Sequence, residues 1–178
     1  LFIHTWVEAR AVVPEMLLVF FSTLGVYLFL KGRTIWGWIA LALAFLAKGP
    51  VGVFLPLAVL FLWKTLEGKG FRETLKWFLG IFNPWGLLAF LSVALPWYLA
   101  VIYKVGWSFF YKFFVLENVA RFTGKLQKHL YPWWYYLPIA AVSSLLFWPA
   151  FLSKRLFERR VAPFWGWFAF VLFFYSLS

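Results

Sequence analysis

The chain has 178 residues, 65% of them hydrophobic and 25% aromatic, with a formal net charge of +11 and no cysteine. One soluble domain of this size cannot hide so much apolar surface in its core, and the lack of cysteine excludes disulfides, thiolate catalysis and Cys-ligated metals. The positive charge does not point to nucleic acid, because the bases punctuate apolar runs long enough to fill a hydrocarbon layer instead of forming a clustered polar face.

Taken in chain order, a first span is expected from about Val12 to Leu30, ending at Lys31, Gly32 and Arg33. The apolar run from Ile35 to Trp63 is too long for one ordinary span, and proline at Gly49-Pro50 removes a donor and clashes with the preceding turn. Two short helices with Lys48 at their turn are therefore predicted. KTLEGKGFRETLK reads as a polar connector, followed by an apolar segment from Pro84 to Tyr103. The loop from Lys104 to Pro132 is aromatic and basic, and within it Trp107 to Asn118 reads as an interfacial helix lying on the membrane. Spans from Trp133 to Leu152 and from Pro163 onward complete the pattern. The expected fold class is all-α: a polytopic transmembrane helical bundle of about six membrane segments plus an extracytoplasmic interfacial helix. The chain starts at Leu1 without a methionine and stops inside an apolar segment, so residues 1–178 are expected to be part of one multi-pass domain of a longer protein.

Orientation follows from the distribution of lysine and arginine. Ten of the seventeen fall in the short polar connectors at Lys31/Arg33, Lys64 to Lys76 and Lys154 to Arg160, which are expected to be cytoplasmic. The N-terminal residues through Glu15, the Lys48 turn and the 104 to 132 loop then share the extracytoplasmic side.

Few polar residues on that side are suited to chemistry. Glu15 has two readings: an acid that complements the helix dipole near an N-terminus, or a carboxylate on an active-site rim that orients a sugar hydroxyl or amine or takes part in acid/base work. Lys48 either snorkels from a tight turn or, because its flanking helices are short, sits below the membrane surface and meets an anion such as phosphate. Glu117 and Arg121 are four residues apart and can pair with each other; alternatively Arg121 aims its fork at a phosphate, with Lys125, Lys128 and His129 adding to the positive field. Aspartate is absent, and no carboxylate or histidine pair has metal-ligand spacing, so no metal is expected.

Three stretches in order, ARAVVPEMLLVFF, FLAKGPVG and FFYKFFVLENVARFTGKLQKHLYPWWYYLP, resemble the polyprenyl-phosphate-dependent glycosyltransferases of the GT-C class. The likeness is to the superfamily of aminoarabinose (lipid A) transferases and protein O-mannosyltransferases. The resemblance implies a multi-pass protein of the cell (inner) membrane, surrounded by membrane lipids and using no cofactor. It would transfer a sugar from a polyprenyl-phosphate donor to lipid A, a protein or another envelope glycan on the extracytoplasmic side. It further implies that Lys48 and Arg121 bind the donor phosphate and that Arg10, Glu117 and His129 line the cavity. Glu15, the candidate catalytic residue within the chain, stands where an aspartate is usual. The family's principal catalytic carboxylate is expected ahead of Leu1, so the isolated chain is expected to be inactive. A transporter or lipid-binding scaffold is the alternative, since it too would use a broken hairpin and a cationic cavity.

Overall fold

The computed structural model describes residues 14–68, 70–111, 134–143, 158 and 161–177, and these form helices and turns with no strand among them. Arg10, Glu117, Arg121 and His129 lie outside the described residues, as do most of the expected interfacial helix and much of the Trp133–Leu152 segment.

Helix α1 (Pro14–Leu30) begins on a proline, whose missing N–H is one that a helix start leaves unpaired. It closes at Gly32, whose φ of 73° suits glycine and lets the Arg33 N–H turn back to the Leu28 carbonyl at 2.9 Å. Helix α2 (Thr34–Lys48) then runs back along α1, presenting mainly small residues: Gly37, Ala40, Ala42 and Ala44 are all buried. Small residues of this kind let helix backbones approach closely where no hydrophobic driving force separates helix from lipid. Helix α2 packs against α1, α3 and α5 and is the central element of the bundle.

Helix α3 (Val51–Leu66) follows after the Gly49-Pro50 turn, as the proline predicts. Its start presses on α2: a Cβ on Gly52 would overlap the Ala44 carbonyl group and the Phe45 nitrogen. After the turn at Gly68 and Gly70 comes a short helix, α4 (Phe71–Gly80). This corrects the reading of KTLEGKGFRETLK as a plain connector, since Lys64 to Leu66 finish α3 and Phe71 to Lys76 begin α4. Helix α4 survives its three charged residues, Arg72, Glu73 and Lys76, because it is amphipathic, with Thr74 fully buried and Trp77 and Phe78 packed on the core.

Helix α5 (Pro84–Val105) is started by Asn83, whose side chain accepts the Gly86 N–H at 2.7 Å, with Pro84 at the first helical position. Its described successors are α6 (Trp107–Phe110), α7 (Tyr136–Ser143) and α8 (Ala162–Leu177). Two hydrogen bonds show that α5 runs parallel to α2: Asn83 Nδ2 donates to Thr34 Oγ1 at 2.9 Å, and the Tyr98 hydroxyl donates to the Phe45 carbonyl at 3.4 Å. Ring contacts run α8 antiparallel to α3, with Trp63 against Phe164 and Phe54 against Phe174. The bundle therefore has two distinct ends. One carries Glu15 and the Lys48 turn; the other carries Lys31, Arg33, α4 and Asn83.

The core lies nearer the Asn83 end, built from Phe29, Trp38, Leu41, Leu60 and Ile81. Trp38 is its centre: its ring meets Phe29, Phe82 and Phe90 edge-on, and its buried Nε1 donates to the Ile81 carbonyl at 2.7 Å. Outward faces remain apolar, with Leu88, Leu95, Trp97 and Leu99 of α5 all exposed, more apolar area than a soluble monomer leaves open. Among the described residues, α5 alone joins the length to the composition needed to cross a membrane; α1, α2, α3 and α8 are apolar but shorter, with 15 to 17 residues each. Helix length thus accounts for one of the six expected segments.

Replacing Gly52 by alanine should force α3 away from the Ala44 carbonyl and destabilise the protein by about 1–3 kcal/mol. Gly80, with nothing near the position of an added Cβ, is the control. Thermal unfolding in detergent should show a clear drop in midpoint for G52A and little change for G80A.

Candidate functional site

The Lys48 end is built by the α2–α3 turn. Lys48 is the last residue of α2, and Gly49 (φ 68°) breaks the helix while its N–H still reaches the Phe45 carbonyl at 2.7 Å. Pro50 then opens α3, its carbonyl accepting the Phe54 N–H at 2.9 Å. The turn is braced from α5, whose Tyr98 is buried, bonds to the Phe45 carbonyl and sets its ring 5.2 Å from that of Phe45. Lys48 is thereby fixed at the end of a rigid helix.

Its ammonium donates to Glu15 Oε1 at 2.7 Å, making an ion pair between the first turn of α1 and the last turn of α2. The two side chains are 39% and 43% exposed, respectively. Ion pairs this open contribute roughly 0–1 kcal/mol, because water and salt screen them and the side chains lose entropy on pairing. The pair is thus a weak source of stability but an effective way to hold a cation and a carboxylate together. A competing anion of adequate charge exchanges with such a partner at small cost.

Of the residues singled out in the sequence, Glu15 and Lys48 are brought together. Arg10, Glu117, Arg121 and His129 fall outside the described residues. The sequence reading put Glu15 and Lys48 on one side but treated them separately. The missed signal was register: both residues stand at nearly equal distances from Gly32, the turn of the α1–α2 hairpin, so antiparallel packing puts them level. Among the described residues, no three His, Asp or Glu side chains gather to hold a metal ion.

An uncharacterized protein of Aquifex aeolicus is 52% identical over the whole of this chain, which spans 40% of that protein. The undecaprenyl phosphate-alpha-4-amino-4-deoxy-L-arabinose arabinosyl transferase of Pseudomonas aeruginosa (strain LESB58) is 39% identical over 158 residues, covering 80% of this chain and 26% of the transferase. Over this shared segment the chain belongs to the aminoarabinose arabinosyl transferase family. The transferase of the same name numbered 2 in Proteus mirabilis is 33% identical over 155 residues, 79% of this chain and 26% of its own length. The chain spans about a quarter to two fifths of the length of these curated relatives of the aminoarabinose transferase family and the Aquifex protein. No protein-family model matches the chain, and no solved structure matches it.

A double-mutant cycle on Glu15→Gln and Lys48→Met measures the pair. A coupling of about 1 kcal/mol or less in thermal or denaturant unfolding is expected from its exposure. A coupling near 3 kcal/mol or above would instead describe a pair sealed from water.

Proposed function

We propose that this chain is the part of a membrane glycosyltransferase that receives the phosphate of a polyprenyl-linked sugar donor, with Lys48 as the phosphate's cationic partner. The observation that carries the reading is the Lys48–Glu15 pair: a cation fixed at a helix terminus, half open, and neutralised by a partner that a phosphate can displace or join. Family membership over the shared segment supports the donor class, since the printed names of the relatives specify an undecaprenyl phosphate-linked aminoarabinose.

In this reading an acceptor oxygen attacks the anomeric carbon, and the bond from that carbon to the phosphate oxygen breaks. The electron pair leaves with the polyprenyl phosphate, and a carboxylate takes the acceptor's proton. Lys48, together with Arg121, stabilises the charge growing on the departing phosphate. Glu15 holds Lys48 in position and orients a sugar hydroxyl or amine, while Arg10, Glu117 and His129 line the cavity. The acceptor is lipid A or another envelope component, the bundle crosses the inner membrane about six times, and the Lys48 end faces outward.

In the full-length protein, Lys48→Ala should lower transfer of aminoarabinose from its undecaprenyl-phosphate donor to lipid A about 100-fold, the order lost when a preorganised charge is removed from a transition state. The amount of folded protein should not change. Turnover equal to that of the unsubstituted protein would sink the assignment.

A further inference from the structure

The opposite end of the bundle carries a second surface. On a helix of 3.6 residues per turn, the residues of α4 fall into three adjoining sectors. Thr74, Trp77 and Phe78 face the core. Next to them lies a stripe of Phe71, Leu75 and Leu79, spaced four residues apart and left open: Phe71 is 63% and Leu79 61% exposed. Beyond that stripe come Arg72 and Lys76, also exposed and without an ion-pair partner among the described residues.

We infer that α4 lies in the membrane surface at the Asn83 end of the bundle, with Phe71, Leu75 and Leu79 among acyl chains and Arg72 and Lys76 on anionic phospholipid headgroups. The order of sectors around the helix is the argument. Core, apolar stripe, basic edge and then polar Glu73 is the sequence met on going from bundle to acyl chains to headgroups to water. A stripe of this kind facing water would stand as an unpaid apolar patch, and one facing hydrocarbon along its whole circumference would carry no basic edge.

Charge complementarity identifies the lipid. Among the described residues, Lys31, Arg33, Lys64, Arg72 and Lys76 lie at this end with three carboxylates, Glu67, Glu73 and Glu158, which leaves it net positive. Lys64 is already engaged, 2.8 Å from Glu67 and stacked on the Trp77 ring at 4.8 Å. Arg33, Arg72 and Lys76 remain to meet phosphates. Lys76 and Glu73 also border an open groove of about 580 Å³ between α4 and the α1–α2 turn, walled on its other side by Gly32 and Thr34. The inference does not depend on transferase activity or on which face of the membrane this end occupies.

The test uses the full-length protein in nanodiscs of phosphatidylcholine, with or without phosphatidylglycerol. This chain has no cysteine of its own, so with any cysteine elsewhere in the full-length protein replaced by serine, Leu79→Cys or Glu73→Cys carries the sole label. A nitroxide at position 79 should be relaxed by oxygen more than by a water-soluble nickel chelate, and one at position 73 the reverse. A fluorophore at position 79 should be quenched more by brominated phosphatidylglycerol than by brominated phosphatidylcholine. Arg72→Gln and Lys76→Gln, both at exposed positions, should each lower that preference about fivefold. Nickel access at 79 equal to that at 73 would overturn the inference. So would shielding of position 79 from both relaxants, as a protein partner or a second copy would produce, or equal quenching by the two lipids.

Discussion

Much of the architecture rests on one close contact, the approach of the α3 backbone at Gly52 to the Ala44 carbonyl of α2. Only the absence of a side chain at Gly52 permits it, and the contact lies one turn from Lys48. Because the two backbones touch there, the turn at Gly49-Pro50 is as tight as a helical hairpin allows, and Lys48 projects from the end of α2 instead of from a mobile loop. Tyr98 on α5 and Glu15 on α1 then meet a surface that is already formed. A looser hairpin would leave each of those contacts to be found separately, at the entropy of ordering a long lysine side chain.

The two ends of the bundle are held by different physics. At the Asn83 end, α2, α4 and α5 are joined by one buried polar contact, Trp38 to the Ile81 carbonyl, and by two half-buried ones, from Asn83 to Thr34 and to the Gly86 N–H. The buried bond has no water to exchange with, so it defines one geometry strongly. At the Lys48 end the principal polar contact is an open ion pair, weak in energy and easily exchanged. Rigidity is concentrated where the core is, and exchangeable chemistry is left where a ligand can enter.

How far the sequence discloses this arrangement depends on the kind of signal. The break at Gly49-Pro50 and the start of α5 at Pro84 are legible because proline acts locally, through its own missing donor and ring. The co-location of Glu15 and Lys48 is legible from alternation of short connectors, yet their pairing is not, since it depends on hairpin register set by Gly25, Gly37 and the left-handed Gly32. Helix α4 is obscured by its own charges: Arg72, Glu73 and Lys76 dominate the local composition, while the burial of Thr74 that makes the segment a helix comes from tertiary packing. The expected contributions of Arg10, Glu117, Arg121 and His129 fall outside the described residues, so the site is seen through two of its six named side chains.

The pairing of Glu15 with Lys48 also has a temporal side. The carboxylate precedes the lysine by 33 residues along the chain. A ribosome therefore delivers α1, with its anion at one end, before it delivers α2. When the α2–α3 hairpin closes, its lysine arrives where a counter-charge already waits. A chain with the two residues interchanged would have the same contact once finished, but its assembly would place a lone cation at that end first and supply the anion afterwards.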